Sequence, residues 1–203
     1  MFRQISLYLL PVIIFFFACV TAPAQSVNGV ILDEPEAVGA FTLTAQDGEA
    51  FTQERLKGHW TLLFLGFTHC PDVCPFTLAN LEAVRTELSQ LMSPDKLPEV
   101  VFLAVDPERD EELLADYVKH FGISFTGITG ERPEIDKLVE SIDGFYRLEK
   151  SGPGDDAYDV THSAAVTVIN PDGEITAKIS PPFHPFSTAT YLARHMRGLP
   201  AVN

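Results

Sequence analysis

Cys70 and Cys74 lie in the run Gly66-Phe67-Thr68-His69-Cys70-Pro71-Asp72-Val73-Cys74-Pro75, directly after the apolar stretch Leu62-Leu63-Phe64-Leu65. A thiol pair can exchange electrons with a disulfide, close a structural disulfide, or hold a soft metal ion. Thiolate is the form that attacks a disulfide and the form that binds metal. Both cysteines precede a proline, which pushes a residue away from helical geometry, and Pro75 suits the first helical position. Cys74 is therefore expected at or just before a helix start, with Cys70 in the loop between strand and helix. Backbone N–H groups and the helix dipole there favour anionic sulfur and are expected to lower the thiol pKa. Dithiol exchange is associated with Cys-x-x-Cys, and this pair carries an additional residue. The longer loop can still close a disulfide, and it can equally splay two thiolates around Cu(I) or Zn(II). A closed zinc site would want four ligands, and no second cysteine pair or His-rich pair is present to supply them.

A third ligand would have to come from one of six histidines. His69 adjoins Cys70 but is expected to point away on a chain of alternating direction. His59 precedes the apolar run, at the end opposite the thiols. His120 and His195 sit in helix C-terminal turns, where the dipole explains them without a ligand role. His184 lies in the proline-rich Pro181-Pro182-Phe183-His184-Pro185. His162 differs, because Thr161-His162-Ser163 immediately precedes the apolar strand Ala164 to Ile169. In a thioredoxin-like sheet the loop entering that strand faces the thiol loop, and thioredoxins carry a cis-proline there. No proline occupies it here, and because that geometry brings His162 to the thiols it is the expected third ligand.

The elements that must place these residues follow from periodicity. Ala40 to Thr44 and Ala50 to Thr52, around the turn signal Asp47-Gly48, read as an N-terminal hairpin. Trp60 to Gly66 and Val100 to Val105 are near-continuous apolar runs, as expected of strands covered on both faces. Leu78, Leu81, Val84, Leu88 and Leu91 recur at helical spacing, as do Leu113, Leu114, Tyr117, Val118 and Phe121 before the stop at Gly122. Pro133 opens a shorter helix through Ile135, Leu138 and Val139. Phe145 to Leu148 is a strand, followed by the polar loop Gly152 to Asp156. Ile175 to Ile179 pairs back on the strand ending at Ile169, and a last helix is expected from Thr188 to Arg197. Strands alternating with helices, then a closing hairpin and a helix, give an α/β sandwich with a central mixed sheet flanked by helices, and the run of strand, paired-thiol loop and helix is the layout of a thioredoxin-like site.

The chain has 203 residues, enough for one domain with a full core. Arg3, an apolar run from Ile5 to Val20, and the small residues Ala22 and Ala24 make residues 1–24 a signal peptide or N-terminal membrane anchor. Cleavage after Ala24, retention as an anchor, and lipid modification of Cys19 are the outcomes the residues allow. Residues 25–38 are expected to form a tether, and 39–203 the folded domain. Export, to the periplasm or to a position tethered at the outer face of the inner membrane, favours thiol oxidation. A structural disulfide is therefore the competing account of the pair. The formal net charge is −14. No basic patch is available to hold phosphate, which excludes nucleic acid as a partner.

The run from Gly66 to Pro75, Val105-Asp106-Pro107-Glu108-Arg109-Asp110, and Thr161-His162-Ser163 followed by Asn170-Pro171-Asp172-Gly173 together resemble the SCO/SenC family of copper-binding assembly factors. The resemblance spans most of Phe41 to Leu199 and implies a thioredoxin fold at or near a membrane. It implies copper, as Cu(I) or Cu(II), bound by Cys70, Cys74 and His162, and a role in building the binuclear copper centre of cytochrome c oxidase. The implied partners are the copper-accepting oxidase subunit or another copper chaperone, and a thiol reductase. Asp72 and Asp106 are candidates to support the ligands from behind, or else a loop solvator and a strand-end turn residue. The chain departs from many members in having Thr161 where an acid precedes the histidine; threonine can hydrogen-bond but carries no charge. The alternative is a thiol–disulfide oxidoreductase in which Cys70 and Cys74 attack and resolve a client's disulfide. A thiol peroxidase is disfavoured because Thr68 lies only two positions before Cys70 and no proline stands upstream.

Overall fold

A computed structural model describes residues 26–152 and 158–200. Residues 1–24, expected to be a signal peptide or anchor, with Cys19 among them, and most of the expected polar loop after Gly152 lie outside that range. The strands are β1 (Asn28–Ala37), β2 (Thr42–Ala45), β3 (Ala50–Thr52), β4 (Thr61–Gly66), β5 (Glu99–Ala104), β6 (Phe125–Thr129), β7 (Tyr146–Lys150), β8 (Tyr158–His162), β9 (Val166–Ile169) and β10 (Glu174–Ser180). The helices are α1 (Val73–Ser89), α2 (Pro107–Asp110), α3 (Leu114–Phe121), α4 (Arg132–Ser141) and α5 (Pro185–His195).

Eight strands form one mixed sheet in the order β1-β10-β9-β4-β5-β6-β2-β3, and β7 pairs with β8 in a separate two-stranded sheet. The apolar runs expected to be covered on both faces take the centre: β4 and β5 run parallel from Thr61 opposite Glu99 to Gly66 opposite Ala104. Every residue of β4 is buried, and all of β5 after Glu99. Strand β9 lies antiparallel on the other side of β4. Since β4 and β5 end level, the loop after Gly66 and the turn after Ala104 leave the sheet side by side, where open α/β sheets place their sites.

Leu78, Leu81, Val84 and Leu88 are buried along α1, which packs against α5, while Leu91 falls beyond the helix. The hairpin β2–β3 adds to the far edge of the sheet through β6.

Besides β6 and α2, which the sequence reading did not anticipate, three segments differ from the sequence expectation. Residues 28–37, within the expected tether, form β1 and pair antiparallel with β10. Most of β1 is exposed, so it is held by backbone pairing more than by buried side chains and gives no strong apolar pattern. Thr161-His162 ends strand β8 instead of lying in a loop, because β8 pairs with β7 in exact opposition, Tyr146 against His162 through Lys150 against Tyr158. The last helix begins at Pro185, three residues before the expected Thr188, since proline fits the first turn of a helix.

Candidate metal centre

Gly66 ends β4 beneath the thiols. A Cβ there would lie 2.7 Å from Cys74 Sγ and 2.8 Å from a Phe102 ring carbon, so only glycine lets the sulfur seat against the strand end. The chain then turns through buried Phe67 and enters α1 at Val73, with Cys74 one residue inside the helix. Cys74 is fully buried and Cys70 half-buried; both are free thiols. The Cys74 backbone N–H donates to Cys70 Sγ at 3.3 Å. The helix start therefore offers an amide to Cys70, as expected for the loop cysteine.

The third group arrives from the hairpin. His162 Nε2 lies 3.3 Å from Cys74 Sγ. Its Nδ1 lies 2.9 Å from the Ser163 carbonyl oxygen, which can only accept, so Nδ1 carries the proton and Nε2 presents a lone pair to the sulfur. The ring is boxed edge-on by Phe64 and Phe67, at centroid distances of 6.1 and 5.9 Å. The ligand atoms of Cys70, Cys74 and His162 all fall within 4.8 Å of one another. An ion bonded to sulfur and nitrogen at about 2.0–2.3 Å needs three donors roughly 3.5–4 Å apart, so the group requires little closure to hold one. Among the described residues it is the one cluster of histidine, cysteine or acid so arranged.

Burial moves the protonation of Cys74 and His162. It pushes the Cys74 thiol well above its ordinary range, an effect reinforced by Cys70 and Asp110 and only partly opposed by a backbone hydrogen bond at Phe67. The expected lowering of thiol pKa at the helix start is thus overturned for Cys74: loss of hydration outweighs the dipole. Burial also holds His162 below the usual histidine range. A neutral imidazole thus faces a protonated thiol, and a bound cation would supply the charge needed to ionise the sulfur. A cavity of about 470 Å³ opens over the group, lined among others by Phe67, His69, Cys70, Arg109, Tyr158 and His162.

The other histidines have local roles. His69 is exposed, with Nδ1 3.1 Å from the Thr68 hydroxyl. His59 pairs with Glu99 at 2.8 Å, His120 packs edge-on against Phe121, and His184 precedes α5. His195 sits 2.8 Å from the Thr176 hydroxyl. Asp72 is exposed and its side chain does not cap α1.

Asp106 is fully buried and accepts from Arg109 Nε and, at 2.7 Å, from the Tyr158 hydroxyl. Asp110, also fully buried, accepts from the Thr68 backbone N–H and hydroxyl, both at 2.7 Å. Arg109, Asp110, Thr68 and Tyr158 were given no supporting role on the sequence. The one signal available was a pair of acids four residues apart at the end of a buried strand.

The SCO1/SenC family model matches residues 31–197. The human protein SCO1 homolog, mitochondrial, is 36% identical over 170 residues, covering 82% of this chain and 55% of the human protein. The chain thus spans about half the length of that relative. Among solved structures, Arabidopsis thaliana ScoI with copper bound superposes with a TM-score of 0.73 at 31% identity, covering 80% of this chain and 99% of that one. Bradyrhizobium japonicum ScoI with copper bound gives 0.68 at 31% identity, covering 78% and 98%. With the thioredoxin-like sheet, the strand-end thiols and the matched length taken together, the chain belongs to the SCO1/SenC family.

Proposed function

We propose that this protein is a copper metallochaperone that helps assemble the binuclear copper centre of cytochrome c oxidase, carrying its ion on the thiolates of Cys70 and Cys74 and on Nε2 of His162. The observation that carries the reading is the convergence of these three ligand atoms within 4.8 Å, from the loop and helix start after β4 and from a hairpin far away in sequence. The fixed His162 tautomer and the copper-bound relatives support it. Soft thiolates select Cu(I), and imidazole suits either oxidation state. Two thiolate charges neutralise Cu(II) and leave Cu(I) with one surplus negative charge. Three ligands leave a position for an incoming thiol or thioether, so the ion can pass to an oxidase subunit or another chaperone by ligand exchange. Half-exposed Cys70 beside the cavity is the natural first sulfur to release it.

Residues 1–24 support export, to the periplasm or to a tether on the outer face of the inner membrane, with the copper domain following. No described helix is long and apolar enough to cross a membrane.

Anaerobic copper titration of the reduced protein tests the ligand set. Wild type should bind one equivalent. Cys70→Ser and His162→Ala should each weaken binding by more than about 100-fold, beyond what loss of a supporting group costs. Unchanged stoichiometry, affinity and spectra in His162→Ala would sink the three-ligand site.

A second reading, thiol–disulfide oxidoreductase, draws on the unequal exposure of the pair: Cys70 is placed to attack and buried Cys74 to resolve. Copper-free turnover of a disulfide peptide that survives His162→Ala would favour it.

A further inference from the structure

We propose that the single turn α2 is the positioning device of the metal site, clasping the cysteine loop with Asp110 and the histidine hairpin with Asp106 and Arg109. The proposal rests on the copper-binding reading above. It begins with two buried carboxylates four residues apart, which persist in a fold only when their lone pairs are filled. They are filled from opposite halves of the site.

Asp110 Oδ1 takes both the backbone N–H and the hydroxyl of Thr68, two residues before Cys70. Asp106 takes the hydroxyl of Tyr158, the first residue of the strand that ends in His162. Arg109 reinforces the second arm. Its Nε donates to Asp106, its Nη1 donates to the Tyr158 carbonyl at 3.4 Å, and its guanidinium lies 3.9 Å over the Tyr158 ring. The same guanidinium sits 5.9 Å from the Phe67 ring, which packs against His162.

The two arms are locked to each other. The Asp106 N–H donates to Asp110 Oδ2 at 3.0 Å, and the Asp110 N–H donates to the Asp106 carbonyl at 2.9 Å. Arg132 adds a further contact to Asp106 at 3.6 Å. One turn of helix, fixed at the end of the buried strand β5, therefore ties together two elements that otherwise meet through Phe64 and Phe67 on the His162 ring and through the pairing of β9 with β4. None of its side chains is placed to ligate, so its action is on geometry: Asp110 acts on the thiols and Asp106 with Arg109 on the imidazole.

The test uses the full chain and two mild variants, one per arm, with copper titration and spectroscopy. Tyr158→Phe keeps the ring over Arg109 and loses only the hydroxyl. It should lower copper affinity about 10–100-fold and weaken the imidazole nitrogen hyperfine signal of the Cu(II) form, leaving the thiolate-to-copper charge-transfer band in place. Thr68→Val should do the reverse, shifting the charge-transfer band while the imidazole signal stays. Arg109→Gln gives a second reading of the hairpin arm and should follow Tyr158→Phe.

Equal changes to both signals in both variants, or wild-type affinity and spectra in both, would overturn the proposal. Amide hydrogen exchange of the copper-free protein provides a readout that holds even if wild type binds no copper, an outcome that would count against the copper reading alone. Exchange should accelerate in residues 158–162 for Tyr158→Phe and in residues 67–74 for Thr68→Val. Acceleration in neither segment would overturn the clasp by itself.

Discussion

The two halves of the candidate metal centre are built to different standards of anchorage. The thiol half grows from the middle of the sheet: β4 is wholly buried, Phe67 and Cys74 are buried beyond it, and α1 continues with a buried face against α5. The imidazole half hangs on a two-stranded sheet in which Val160 is the one buried residue. A hairpin of that size is marginal alone; its placement depends on Val160, on the Tyr158–Asp106 bond and on the Ser163 N–H donating to the Phe145 carbonyl at 3.0 Å. The difference teaches that the Cys74 position is a property of the core, whereas Cys70 and His162 rest on a few named contacts in addition to the packing of Phe64 and Phe67 on the imidazole.

The comparison is strained hardest by Gly66→Ala. The added methyl would meet Cys74 Sγ and the Phe102 ring inside van der Waals contact. Overpacking of a dense core costs about 1–3 kcal/mol, so the urea midpoint should fall while the thiols move. An unchanged midpoint with intact copper binding would show that the thiol half is not set by the core.

Val160→Ala should cost less, about 1–2 kcal/mol for lost burial and the space left behind, and the loss should be local. Amide exchange should quicken across β7 and β8 and stay unchanged in β4 and β5. Uniform quickening across the sheet would mean that the hairpin and core share one cooperative unit and that the contrast is overstated.

The smallest effect concerns Asp110. Burial raises its pKa above the ordinary aspartate value, against the opposing pull of its bonds from Thr68 and Asp106. Between the unfolded and the folded pKa the native state then binds more protons than the unfolded state, so this residue's contribution to stability falls as pH rises upward from about 3.8. Asp110→Asn should remove that component. The difference in unfolding free energy between wild type and variant should therefore change with pH in the acid range and become flat above it. A difference independent of pH would deny that Asp110 is held in a dehydrated setting.

Much of this was written along the chain. Near-continuous apolar runs at Leu62 to Leu65 and Val100 to Val105 marked the central strands, since both faces of a central parallel strand exclude water. Helical spacing from Leu78 to Leu88 marked α1, and prolines after both cysteines marked where it begins. The cysteine spacing with His162 before an apolar strand named all three members of the convergent group.

What tertiary structure alone decided were the features that depend on surroundings. Sequence position put Cys74 at a helix start, where the dipole favours thiolate, but burial, which no local pattern reports, reversed the direction. The tautomer of His162 was fixed by a backbone carbonyl at its own neighbour. The link from Asp106 to Tyr158 spans 52 residues, and that from Asp110 to Thr68 spans 42. Local periodicity records which face of an element meets water; it holds no record of which distant polar group fills a buried carboxylate. The sequence by itself therefore determined the fold class and the candidate ligand residues, because both follow from local hydrophobic pattern and side-chain chemistry. Charge state, ring orientation and the clasp came from the packing, because desolvation and long-range hydrogen bonds exist only once the chain has closed on itself.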